Sequence, residues 1–138
     1  MNTVEYKTTL DIFQDVFGGK WKLFIVAQLR EGATRPSVLK QRLPGISQRM
    51  LTKDLKELVE DGIVSREIFP EVPPRVEYSL TAYGQTVMPI IDMLCGWGQA
   101  HVDRMVTNGN SRFIMTDSLD ILQQEDQHIF KRALRIEP

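Results

Sequence analysis

Along the first sixty residues apolar positions recur at steps of three and four, the spacing of one helical face. Leu10, Phe13, Val16 and Phe17 predict a helix over 8–17, stopped by Gly18-Gly19. A second helix over 20–30 carries Leu23, Ile25, Val26 and Leu29 and ends at Gly32. Arg35-Pro36-Ser37 opens a short third helix through 42, because proline is tolerated in a first helical turn, and Leu43-Pro44-Gly45 forms a turn. Ser47 then caps a fourth helix over 48–61, closed by Gly62. Leu51, Leu55, Leu58 and Val59 make one stripe of that helix, and Gln48, Arg49, Thr52, Lys53 and Lys56 occupy the other side.

The period then changes to two. Segments 63–69 and 75–80 are rich in β-branched and aromatic residues and read as paired strands, joined by Pro70-Glu71-Val72-Pro73-Pro74. The prolines forbid a regular ladder in the connection and stiffen it into a protruding loop. A fifth helix is expected over 81–105, with Pro89 as a site for a kink and Gly96 and Gly98 allowing close packing. Val87, Met88, Ile90, Ile91, Met93, Leu94, Cys95 and Trp97 cover nearly its whole circumference, so more than one of its sides must be buried, one of them against a partner subunit. Beyond a polar break at 107–111 come Phe113-Ile114-Met115 and a last helix over 117–135.

The fold class is thus mostly α with a small β-hairpin. Helix, helix, short helix, tight turn, capped helix, hairpin, long helix is the order of a winged helix-turn-helix with long flanking dimerisation helices. A domain over 1–105 and a helical extension over 106–138 are expected. At 138 residues there is room for one core and a short extension.

The net charge of −1 says little about partners, but its distribution does. Residues 20–56 hold nine Lys or Arg against two acids, a local charge of +7, while the remainder carries eight basic and sixteen acidic residues. A positive block inside a near-neutral chain fits a local phosphate-binding face. The major groove admits one helix, so base-reading side chains must project from one exposed face near its start. Gln48, Arg49, Thr52 and Lys53 meet that requirement, through pairings of Gln with adenine, Arg or Lys with guanine, and Thr with a thymine methyl. Arg35 at the third helix and Arg75 at the end of the Pro-rich loop are placed for phosphate or minor-groove contacts, with Lys56. Each of these residue types is also common on an ordinary solvated helix face.

Gly18-Gly19-Lys20-Trp21, Leu43-Pro44-Gly45-Ile46-Ser47 with Met50-Leu51-Thr52, Asp61-Gly62, and above all Val72-Pro73-Pro74-Arg75-Val76-Glu77-Tyr78-Ser79-Leu80-Thr81, followed by Gly84, Pro89 and Trp97-Gly98, resemble the HxlR family of bacterial regulators. The resemblance covers about residues 8–100. It implies a winged helix-turn-helix homodimer, joined through its first and last helices, that binds double-stranded DNA and regulates transcription. Leu10, Phe13, Phe17, Ile90, Ile91, Leu94 and Trp97 are then the expected dimer-interface residues, and Arg35, Ser47, Gln48, Arg49, Thr52, Lys53, Lys56 and Arg75 the expected DNA-binding residues. A two-fold dimer predicts a pseudo-palindromic operator. Some members of the family sense oxidants or electrophiles through a cysteine near the start of the first helix; Thr8 stands in that place here. The usual Arg-Phe pair before the third helix is Arg35-Pro36, which predicts a lost or shifted short strand.

Other chemistries find little footing. The single cysteine, Cys95, excludes an internal disulfide and a cysteine-rich zinc site, and in so apolar a helix it fits packing better than sensing. His101 and His128 lack ligand spacing, so no metal is expected. Gly18-Gly19-Lys20 lacks the spacing of a phosphate loop, no catalytic constellation assembles, and the chain reads as no enzyme, with no cofactor. Trp21, Trp97, Phe13 and Phe17 fit a core better than an effector pocket. No run of about 18 apolar residues is found, and the N-terminus lacks a signal-peptide pattern, so the expectation is a cytoplasmic protein without membrane contact. Two further readings stay open: a winged-helix protein-interaction module, and a regulator whose main role is to sense a small-molecule effector near the fifth helix and the extension.

Overall fold

A computed structural model of the protein describes residues 3–109. Helix α1 spans Thr9–Phe17, α2 Lys22–Gln28, α3 Pro36–Arg42, α4 Gln48–Glu60, α5 Ala82–Gln85 and α6 Met88–Thr107, with strands β1 (Val64–Phe69) and β2 (Arg75–Leu80) between α4 and α5. The chain divides after Thr86 into two compact units. The expected last helix over 117–135 and the Phe113-Ile114-Met115 patch lie outside the described residues.

Three helices of the first unit, α1, α4 and α5, begin where the sequence supplies a side-chain partner for the orphan N–H groups of the first turn. Thr8 and Asp11 form a reciprocal capping box on α1, the Thr8 hydroxyl accepting from the Asp11 amide and the Asp11 carboxylate from the Thr8 amide. Ser47 Oγ accepts from the Met50 amide at 3.0 Å and starts α4. Thr81 Oγ1 accepts from the Gly84 amide at 2.8 Å while donating to the Gly62 carbonyl at 2.6 Å, which ties α5 to the turn before β1. That contact explains Gly84, since a Cβ there would collide with the Ile63 carbonyl.

The core of this unit is built from Ile25, Val26 and Leu29 after Trp21, Leu39 and Leu43 of the α3 region, Ile46, and Leu51, Leu55 and Leu58 of α4, closed by Ile63 and Val64; all are buried. Leu51, Leu55 and Leu58 are the stripe expected for α4. Val59, expected with them, is only half-buried. Burying each such side chain contributes about 1.5–3 kcal/mol, which anchors α4 through one face and leaves the opposite face to solvent.

Antiparallel β1 and β2 pair from Val64–Leu80 to Phe69–Arg75. The strand expected to be lost or shifted survives as one bridge, Thr34 to Tyr78, with hydrogen bonds of 2.8 and 2.9 Å. Proline explains why it stops there. Pro36 has no N–H to continue a ladder, and it holds the preceding Arg35 extended (ψ 149°) before opening α3.

The single helix expected over 81–105 is instead two. Thr86 ends α5, its hydroxyl donating to the Tyr83 carbonyl, and α6 starts afresh at Met88 with Pro89 in its first turn. Pro89 therefore begins a helix and does not kink one, because inside a continuous helix its ring would clash with the carbonyl four residues back. Nor is α6 covered all round. Met88, Ile91, Gly96 and Ala100 are buried, whereas Met93 (58% exposed), Leu94 (51%) and Trp97 (51%) stand in the open with Ile90 and Val106. A Cβ on Gly98 would meet nothing among the described residues, so its predicted role in close packing is not realised there. The Trp97 ring stacks on His101 at 5.0 Å.

Candidate nucleic-acid interface

Helix α3, the turn through Gly45 and helix α4 form the helix-turn-helix. The turn needs a left-handed residue, and Gly45 supplies it at φ 96° with the Trp21 ring lying close beneath it. The Ile46 amide returns to the Leu43 carbonyl at 3.1 Å, and Ser47 then starts α4. Ser47, a candidate DNA contact, is exposed, and its side-chain oxygen is the N-cap acceptor.

At about 100° per residue, Gln48, Arg49, Thr52, Lys53 and Lys56 fall within roughly 140° of the α4 circumference, opposite the leucine stripe. All five are exposed. Gln48 Nε2 donates to Thr52 Oγ1 at 3.2 Å, so these two form one polar pair one turn apart. Lys53 Nζ lies 3.0 Å from Glu57 Oε1. Arg49 and Lys56 make no ion pair among the described residues. Met50, in the first turn of the same helix, is 38% exposed and was not among the residues singled out from the sequence.

The wing holds its arginine differently. The Arg75 guanidinium lies 4.0 Å over the Phe69 ring and pairs with Glu71 at 3.4 Å, with its Nε buried and, among the described residues, unbonded. Arg35 and Arg75 are brought together, as linings of an open groove of about 440 Å³ between the start of α3 and the wing loop. Exposed Arg66 on β1 adds a wing cation the sequence reading passed over.

The charge block separates on folding. Seven of the nine cations between 20 and 56 are exposed: Lys20, Arg35, Lys40, Arg42, Arg49, Lys53 and Lys56. Lys22 is buried, with Nζ 2.6 Å from Glu57 Oε2 and 3.2 Å from the Val16 carbonyl. Arg30 is half-buried. Hydrogen bonds from Lys22 and then Lys53 hold the Glu57 carboxyl below its ordinary pKa, and Glu57 in turn raises that of Lys53. Asp54, on the buried flank of α4, moves the other way, raised by burial against the pull of Lys22. Neither Lys22 nor Glu57 is marked by local pattern, because the two lie 35 positions apart and meet only once α2 packs on α4.

A capped recognition-type helix, a short helix before it and an antiparallel hairpin after it define a winged helix-turn-helix. The model of the HxlR-like helix-turn-helix family matches residues 16–106, and the chain belongs to that family. It is 40% identical over 127 residues to the HTH-type transcriptional regulator YtcD of Bacillus subtilis, covering 91% of this chain and 99% of YtcD. A regulator of Methanothermobacter thermautotrophicus is 43% identical over 109 residues, 79% of this chain and 83% of the relative. The crystal structure of YtcD superposes with a TM-score of 0.68 at 43% identity, over 70% of this chain and 98% of that one. The redox regulator HypR in its oxidised form superposes with a TM-score of 0.65 at 43% identity, over 67% and 96%. The protein is a DNA-binding transcription regulator. Among the described residues no helix is long and apolar enough to cross a membrane, and no cluster of metal-ligating side chains occurs.

Proposed function

We propose that the protein reads a specific duplex operator as a homodimer, with the outer face of α4 in the major groove. The observation that carries this reading is the division of α4, whose leucine face is buried while Arg49 and Lys56 extend from the other with no ion pair among the described residues. In the proposed complex Gln48, Arg49, Thr52 and Lys53 contact base edges. Arg35, Lys56 and Arg75 contact the backbone, and Ser47 orders the first turn as its cap. Two copies related by a two-fold axis present their α4 helices to half-sites about 34 Å apart, one turn of duplex.

The dimer is proposed to form through α1 and α6. Leu10 is 65% exposed on α1, and Ile90, Leu94 and Trp97 are exposed on α6, an apolar area a monomer leaves wet. Phe17 and Ile91 contribute to this interface only indirectly, since both are buried within the chain, and Phe13 stacks on Phe17 with ring centres 5.1 Å apart. An oxidant-sensing role of the kind HypR's name declares has less support. Thr8 stands where the family resemblance puts the sensing cysteine, and its hydroxyl belongs to the cap of α1.

Footprinting on duplex from upstream of the protein's own gene tests the reading. The expected result is two protected half-sites centred one helical turn apart, resistant to random competitor and weakened by salt. A single unpaired footprint contradicts the two-fold dimer, and salt-sensitive binding without sequence preference contradicts operator reading.

A further inference from the structure

Lys22 and Asp54 are the buried charged side chains of the first unit among the described residues. A buried ammonium needs a partner and further hydrogen bonds to offset its desolvation. Lys22 has both, since its Nζ reaches Glu57 Oε2 at 2.6 Å and donates to the Val16 carbonyl at 3.2 Å, one of the orphan acceptors in the last turn of α1. The other Glu57 oxygen, Oε1, is 3.0 Å from Lys53 Nζ. One carboxylate is thus divided between two lysines, one buried behind α4 and one exposed at the edge of its DNA-facing arc. Lys22 is 7% exposed and Lys53 60%, so the first lysine cannot leave and the second can.

We propose that Lys22 is a positioning residue for DNA binding: by neutralising Glu57 from behind, it leaves Lys53 loosely held and able to exchange the carboxylate for a DNA phosphate or base edge. Exposed lysine–carboxylate pairs contribute little, and a phosphate competes with them readily. Without Lys22, Glu57 is an uncompensated negative charge beside the groove that claims Lys53 for itself and repels the incoming backbone. The same ammonium fastens α4 to α2 and to the last turn of α1, so it also fixes the recognition helix against the body of the unit. Asp54, one turn from Glu57 on the buried flank, is the other acid that feels Lys22, and burial rather than Lys22 dominates its environment. The proposal rests on the reading of the α4 outer face as the DNA-contacting surface.

The test is duplex affinity across a salt series for the full chain carrying Lys22→Met, Lys22→Met with Glu57→Gln, or Lys53→Met, with thermal melts alongside. Lys22→Met is expected to weaken operator binding roughly two- to fivefold, the range an exposed ion pair supports. Its salt dependence should be shallower by up to about 0.9 in log–log slope, the full value where Lys53 neutralises a phosphate. The double variant is expected to recover wild-type affinity and slope, because Lys53 is then unclaimed. A purely structural Lys22 would leave the slope unchanged and would not be rescued. Wild-type binding by folded Lys22→Met, or a folded double variant as weak as Lys22→Met, overturns the proposal. If Lys22→Met does not fold, the double variant decides, and binding weaker than wild type overturns it. Unchanged affinity and slope in Lys53→Met removes the footing of the proposal while leaving Arg49 and operator reading intact. Failure of the wild type to bind any duplex overturns the functional reading itself.

Discussion

The recognition helix and the wing both present arginine close to where DNA is expected, yet they hold it differently. Arg49 extends from α4 with no ion pair among the described residues, whereas Arg75 lies over Phe69 at 4.0 Å and pairs with Glu71. The difference follows from what stands behind each side chain. Helix α4 is secured by Leu51, Leu55 and Leu58, so the exposed side chains of its outer face are not needed to hold it. A two-stranded hairpin has too little core of its own and must use its side chains to cover itself. The stem and guanidinium of Arg75 cover Phe69, in part by cation–π attraction. Two arginines that charge counting treats alike therefore differ in availability, Arg49 exposed and Arg75 half-buried, and only the packing reveals it.

The comparison breaks most severely if α4 loses its anchor. Leu58→Ala is expected to destabilise the unit by about 2–5 kcal/mol, read as a lower denaturant midpoint, because Leu58 is fully buried. A change under roughly 0.5 kcal/mol, the level of an ordinary surface substitution, would contradict the account of α4 as held by that stripe. Next comes Arg49→Ala, expected to cost about 1–3 kcal/mol of operator affinity with no change in melting. The corresponding wing variant, Arg75→Ala, should cost less than about 1 kcal/mol of affinity, because the cation it removes is already engaged. It should also lower stability slightly by uncovering Phe69. Equal affinity losses in the two variants would erase the distinction drawn between helix and wing.

The smallest expected effect is a pH dependence behind α4. Lys22 and Lys53 depress the pKa of Glu57 in the folded protein. Its stabilising contribution is therefore fully present above the ordinary carboxylate range, near 4.3, and is lost as pH falls through the depressed folded value. Wild type and Glu57→Gln should differ in stability at neutral pH and converge on acidification. A constant gap down to strongly acidic pH would show that Glu57 is not the titrating partner.

Much of this was legible in the residues. The helical stripes, the Ser47 cap, the Gly45 turn and the period-two strands each follow from local chemistry, and α3, α4 and both strands lie within a residue of their expected bounds. The α5–α6 break was not anticipated, because the apolar pattern runs through Thr86 unchanged and the hydroxyl that ends α5 leaves no mark in hydropathy. The remnant strand at Thr34 was half legible, since Pro36 announced a shortened ladder but not the surviving bridge to Tyr78. For the interface, Arg49 and Lys56 could be placed on the outer arc by spacing alone. Charge counting could not separate buried Lys22 from exposed Lys20, nor show that Arg75 lies on Phe69. Those facts depend on pairs of elements meeting, and no window along the chain contains both members.

The central claim, that the outer face of α4 reads base sequence, is tested most directly by measuring wild-type and Arg49→Ala affinities on a set of operators each altered at one base pair. The account predicts that the variant loses discrimination at one position in each half-site, with preferences elsewhere unchanged. An unaltered ranking of operators, at unaltered affinity, would contradict it.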